Sequence, residues 1–209
     1  MQPSQEPLLL EALSDKVLHQ LPPAVWKNLF LGAERDSIRF EERTLTLVHA
    51  DAEVPAGGQG TVTERFYQDL QRLNARHGGR LDPYVNATAL VTFEDPGAAV
   101  RMAIELQRAA TEVPLRIGVA SGPCMLAFFR AQGRLWCTPL GDQPARAAKV
   151  AASAAPGRIV ISPETYNPSG ISVRLRADSR PAMEFSDSEV DLSSLALDAA
   201  IDGVDILLA

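Results

Sequence analysis

The chain has 209 residues, enough for one sizeable domain with appendages and short for two. Its 20 Lys and Arg stand against 26 Asp and Glu, a formal net charge of -6, and without clustered cations this excludes a nucleic-acid-binding surface. No apolar run approaches the length of a bilayer span, which excludes a membrane helix and points to a soluble protein.

The first 40 residues carry Leu8-Leu9-Leu10, then Val17, Leu18 and Leu21. A Pro22-Pro23 break and Val25-Trp26, Leu29-Phe30 follow. This spacing predicts two short amphipathic helices whose apolar faces must be covered, by the main domain or by a second chain. Packing onto the protein's own core is the expectation.

From Thr44, the run Leu45-Thr46-Leu47-Val48-His49-Ala50-Asp51 reads as a buried central strand ending at Asp51. Gly57, Gly58 and Gly60 mark a turn before a helix with Val62, Phe66, Leu70 and Leu73 on one face, stopped at His77-Gly78-Gly79. Leu81 to Val85 and Thr88 to Phe93 read as a hairpin turning at Asn86-Ala87. A helix from Pro96 to Thr111 places Ala99, Met102, Ala103, Leu106 and Ala110 on its core face, and Leu115 to Ala120 is a strand ended by Ser121-Gly122-Pro123. The order is βαββαβ, so the predicted class is α+β with a ferredoxin-like core.

Beyond Pro123, Met125 to Phe129 and Leu135 to Thr138 form a second predicted hairpin around Gln132-Gly133. A helix starting at Gly141-Asp142 shows Ala147, Ala148 and Ala151 as a narrow face for close packing. Arg158 to Ser162 is a strand, Pro163 opens a short helix through Tyr166, and Ile171 to Leu175 is a last strand. From Asp178 the composition turns acidic, with Ser, Leu and Ala, as in a solvated tail, though Leu195 to Leu208 can still form a docking helix or strand. Three parts are expected: a helical segment 1–40, a main domain 41–177 and an acidic segment 178–209. Cys124 and Cys137 have no Cys-x-x-Cys or His-rich partner; they read as small buried residues and, with no secretory leader, fit a reducing cytoplasmic compartment.

Five pieces in order resemble the catalytic domain of class III nucleotidyl cyclases. They are Thr46 to Asp51, Gly78-Gly79 through Phe93, Leu115 to Pro123, Pro156-Gly157-Arg158-Ile159-Val160-Ile161-Ser162, and Thr165-Tyr166. The resemblance implies that fold, with extra helices and strands after the ferredoxin-like core. It also implies a site shared between two subunits, with metals on one side and base recognition and transition-state groups on the other.

The family reaction uses two cations held by two carboxylates, because a hydroxyl must be activated while charge builds on a phosphate. The resemblance matches Asp51 to the first carboxylate and Ala87 to the second, with Asn86 one residue before it. Alanine cannot ligate a metal. The purine-selecting lysine is matched by Pro83, which has no donor, and its partner by Thr138, compatible with adenine but ordinary in a strand. The ribose-orienting asparagine is matched by Ala145, and the transition-state arginine by Lys149, which keeps charge without the guanidinium fork. No lysine follows Lys149 to take the terminal phosphates.

The expected function is therefore a catalytically silent cyclase-like module in intracellular signalling. It would work as a homodimer, as a heterodimer with a related domain, or through a regulatory partner at the termini, with no nucleic acid and no membrane. No cofactor is expected, Mg²⁺ or Mn²⁺ entering only with residual nucleotide binding. The alternative is a divergent adenylate or guanylate cyclase, or a purine-nucleotide-binding domain, relying on Asp51, Thr138 and Lys149.

Overall fold

A computed structural model describes residues 5–52, 59–82, 88–110, 113–169 and 205–208. Helices α1 (Glu6–Leu18) and α2 (Pro23–Leu31) open the chain. Both have proline in the first turn, where an absent N–H loses no hydrogen bond. Then come β1 (Arg39–Ala52), α3 (Gln59–His77), β2 (Arg80–Leu81), β3 (Thr88–Phe93), α4 (Pro96–Ala109) and β4 (Leu115–Ala131). The remaining elements are β5 (Arg134–Leu140), α5 (Asp142–Ser153), β6 (Arg158–Ile161), α6 (Pro163–Ser169) and β7 (Asp205–Leu208).

The strands form one seven-stranded sheet in the order β2-β3-β1-β4-β6-β7, with β5 paired to the far half of β4. Along β4, β1, β3 and β2 each neighbouring pair is antiparallel, and with α3 and α4 these strands make the ferredoxin-like βαββαβ core expected from the pattern. Parallel strands β6 and β7 extend it. Asp95 starts α4 by accepting hydrogen bonds from the N–H groups of Gly97 and Ala98 at 2.8 and 3.1 Å.

Alternation along β1 divides the core between two faces. Val48 and Ala50, with Val91, Ile117 and Val119, pack under Leu70 and Leu73 of α3 and Met102 and Leu106 of α4. Leu45 and Leu47, with Leu90 and Ala120, face Ala147 of α5. The two N-terminal helices do pack on the protein's own core: Leu13, Val17, Leu29 and Phe30 are buried against Ala127, Phe129, Ala131 and Leu140.

The structure corrects several local expectations. The first strand begins at Arg39 rather than Thr44, because residues 39–43 find partners in Cys124–Phe128 of β4. It also continues past Asp51 to Ala52. Ser121-Gly122-Pro123 does not end a strand: β4 runs through it unbroken, pairing Ser121 with Thr46 and Pro123 with Thr44. Pairing with β6 stops at Val119 and pairing with β5 starts at Met125, so on that side Pro123 lies where no strand needs its missing N–H. The hairpin that follows turns at Gln132 and Gly133, with φ of 55° and 72°, the positive pair that a two-residue type I′ turn requires. Strand β7 falls within the stretch expected to dock, whereas the predicted strand Ile171–Leu175 and the acidic stretch up to residue 204 lie outside the described residues. So does the side chain of Val62.

The narrow alanine face of α5 has a counterpart on the sheet. A Cβ built on Gly118 would collide with the backbone N of Ala151 and come within 2.6 Å of the Ala147 carbonyl oxygen. Neither is a side chain that can swing away. Gly118→Ala is therefore expected to push α5 off β4 and to lower stability by about 3 kcal/mol, the upper range for overpacking. Equilibrium urea unfolding checks this; a loss under roughly 0.5 kcal/mol, the range of a surface change, would contradict it.

Candidate functional site

Asp51 lies near the end of β1, half-buried, opposite Arg116 on β4 and Thr88 on β3. It shares the α5 face with Leu47 and His49. Burial lowers the pKa of His49, and the Asp51 carboxylate opposes that shift. Because the folded form disfavours the imidazolium, the stability His49 contributes is complete above its unfolded pKa of roughly 6.5 and is lost as pH falls through the depressed folded value. Thermal unfolding from pH 7.5 to 5 should show a decline that His49→Gln flattens; an unchanged profile would remove His49 as its source.

Among the described residues no group of three or more His, Cys, Asp and Glu converges as a metal site. Asp51 with a neighbouring imidazole does not match the pair of carboxylates that two Mg²⁺ or Mn²⁺ ions need. Pro83, Asn86 and Ala87 lie outside the described residues. Ala145 and Lys149 sit one turn apart on α5, both exposed, on the side away from the buried Ala147 and Ala151. Both cysteines are free, and burial pushes the Cys124 thiol up to about 11 and raises that of Cys137.

Thr138 is placed quite differently. It is 0% exposed and pairs with Ala127, which belongs to the cluster under α1 and α2. Strand β4 keeps one register with β1 from Leu115 to Phe128, so Ala127 stays on the side of Ile117 and Val119. Thr138 and Asp51 thus project from opposite faces of the sheet. The Thr138 hydroxyl donates to Asp82 Oδ1 at 2.9 Å. The other oxygen, Asp82 Oδ2, accepts from Lys16 Nζ of α1 at 2.6 Å, and Lys16 also donates to the Pro139 carbonyl at 2.9 Å. The Asp82 side chain is 1% exposed and that of Lys16 19%. A buried carboxylate persists only with such partners.

Sequence reading missed Lys16 and Asp82. A signal was present: Lys16 falls three residues after Leu13 and one before Val17, on the apolar face of α1, where a cation needs a buried anion. Asp82 directly precedes Pro83.

A cleft of about 270 Å³ lies elsewhere, lined by Arg43, Gly79, Arg80, Thr92, Phe93 and Asp95 among others. None of Asp51, Thr138, Ala145 or Lys149 lines it. No helix among the described residues is long and apolar enough to cross a membrane.

No protein-family model matches the sequence, and no curated protein matches it. Solved structures do match. The guanylyl cyclase Cya2 superposes with a TM-score of 0.58 at 18% identity, covering 71% of this chain and 89% of that one. The adenylyl cyclase CyaB from P. aeruginosa gives 0.55 at 22% identity, over 71% of this chain and 92% of that one. The dimeric guanylyl cyclase domain of the RhoGC fusion protein from Blastocladiella emersonii gives 0.53 at 17%, over 61% and 84%. The chain has the fold of adenylyl and guanylyl cyclase catalytic domains, as the five sequence pieces implied.

Proposed function

We propose that this chain is a catalytically silent cyclase-like module that acts by pairing, with a second copy or with a related domain, in intracellular signalling. The observation that carries the reading is the state of the base-reading position: Thr138 is fully buried and its hydroxyl is committed to Asp82. With its proton given to Asp82 and its oxygen shielded from solvent, the hydroxyl is closed to a purine in this state. The resemblance adds Pro83, Ala87, Ala145 and Lys149 at positions that should carry a lysine, a carboxylate, an asparagine and an arginine. Losses fall on both halves of a site shared between subunits, so this chain supplies neither half whole to a partner.

With Asp51 as the one matched carboxylate, no Mg²⁺ or Mn²⁺ is required for the folded state, and a metal would enter only together with a nucleotide. Two free thiols raised by burial fit a reducing, cytoplasmic setting. A regulatory protein would contact the termini.

Pairing is supported by the likeness to a guanylyl cyclase domain described as dimeric. A head-to-tail homodimer is the simplest form of it. Sedimentation velocity should show self-association by tens of micromolar, on the order expected for a weak interface. A monomer throughout that range would contradict the homodimer and leave pairing with a related domain, which co-expression with such a domain tests.

A further inference from the structure

Helix α1 is held over the sheet by one polar cluster and by a short apolar face. Within it only Leu13 and Val17 are buried, while Leu8 and Leu18 are 66% and 43% exposed. Lys16 lies between the two buried positions. Its ammonium donates to Asp82 and to the Pro139 carbonyl, two acceptors that flank Thr138, and Thr138 itself donates to Asp82. Asp82 directly follows β2 and Thr138 lies in β5, far apart in sequence, while Lys16 comes from a helix outside the βαββαβ core. With α1 in place Lys16 occupies one oxygen of Asp82 and the Pro139 carbonyl. Without it those two acceptors lose their ammonium donor beside the Thr138 hydroxyl, a set that an amine or amide can use.

We propose that α1 is an intramolecular cap on the base-reading position, with the Lys16 ammonium occupying the place of a ligand's amino group. This rests on the reading that assigns Thr138 to that position. The silence of the domain then has two layers: lost chemical groups, and a position closed from within by a segment that can undock. Undocking breaks the Lys16 ion pair and its hydrogen bond to the Pro139 carbonyl and uncovers Leu13, Val17 and the side chains they pack on, while the α3/α4 core stays closed, so local opening of α1 lies below global unfolding.

The test places a thiol at the capped position. In the full chain with Cys137→Ala, Thr138→Cys is labelled with iodoacetamide, and mass spectrometry separates the label at position 138 from that at a second thiol, Ala103→Cys. Ala103, 0% exposed in the core between α4 and the sheet, gauges global opening. The cap predicts slow labelling at 138 in this parent and a rate roughly tenfold or more faster with Lys16→Ala, while position 103 changes less than about twofold. Equal rates at 138, or a parallel rise at both thiols, would overturn the cap. Should Lys16→Ala fail to fold, Lys16→Met with Asp82→Asn removes both charges together, and the same comparison decides. The proteins that retain Thr138 are also incubated with ATP or GTP and Mg²⁺. Cyclic product from the Lys16→Ala variant alone would support the cap and overturn the silent reading; product from the chain with Lys16 intact would overturn both.

Discussion

Incubated with ATP or GTP, the purified protein is expected to release neither cyclic AMP nor cyclic GMP, with Mg²⁺ or with Mn²⁺. Under the matches that the resemblance implies, each replaced residue acts on a separate part of the barrier. Ala87 offers no charge to a second metal, Pro83 no donor to the base, Ala145 no hydrogen bond to the ribose and Lys149 no fork to the reacting phosphate. Losing one preorganised electrostatic contact costs about 3 kcal/mol, roughly a hundredfold or more in rate. Groups that act as a unit do not add simply, yet several such losses together leave no measurable turnover. Ala87→Asp alone should also fail, since the base and transition-state contacts stay absent. Product from the unmodified chain that disappears in Asp51→Ala, which excludes a contaminant, would reverse the conclusion.

The second large effect is on stability. Lys16→Ala takes the ammonium away from the buried Asp82 carboxylate, and breaking one side of a buried pair typically costs about 3–5 kcal/mol. The partial exposure of Lys16 puts the expectation near the lower end. Lys16→Met combined with Asp82→Asn should recover most of that loss, because it removes the stranded charge and keeps an amide oxygen that accepts from Thr138. Chemical denaturation of the two single variants and the double completes a cycle whose coupling should exceed about 1 kcal/mol for residues in one network. An additive result would mean that the 2.6 Å contact carries no energy of its own.

The elements were legible wherever local physics decides them. Apolar spacing in Leu70 and Leu73, the Asp95-Pro96 start of α4, and the alternation through Leu45 to Asp51 each match one period, and each became the expected helix or strand. The same holds for the close packing of Ala147 and Ala151, which small side chains announce. Where local and long-range demands conflict, the local reading failed. Ser121-Gly122-Pro123 carries turn chemistry, but β1 offers a continuous partner along the whole stretch, and the gap between β6 and β5 removes the penalty for the proline.

The candidate site divides along the same line. Which groups are present is a property of the residues themselves: alanine has no ligand atom and proline no donor, whatever surrounds them, so what Ala87, Pro83 and Ala145 lack is legible in the chain once the resemblance assigns their positions. What becomes of the groups that remain depends on neighbours distant in sequence. Thr138 looked ordinary in its strand, and only folding brings it to Asp82, 56 residues away, and brings Asp82 to Lys16, a further 66. Burial decides that partnership, since a carboxylate removed from water must find a cation, and no pattern within a single segment states which cation reaches it.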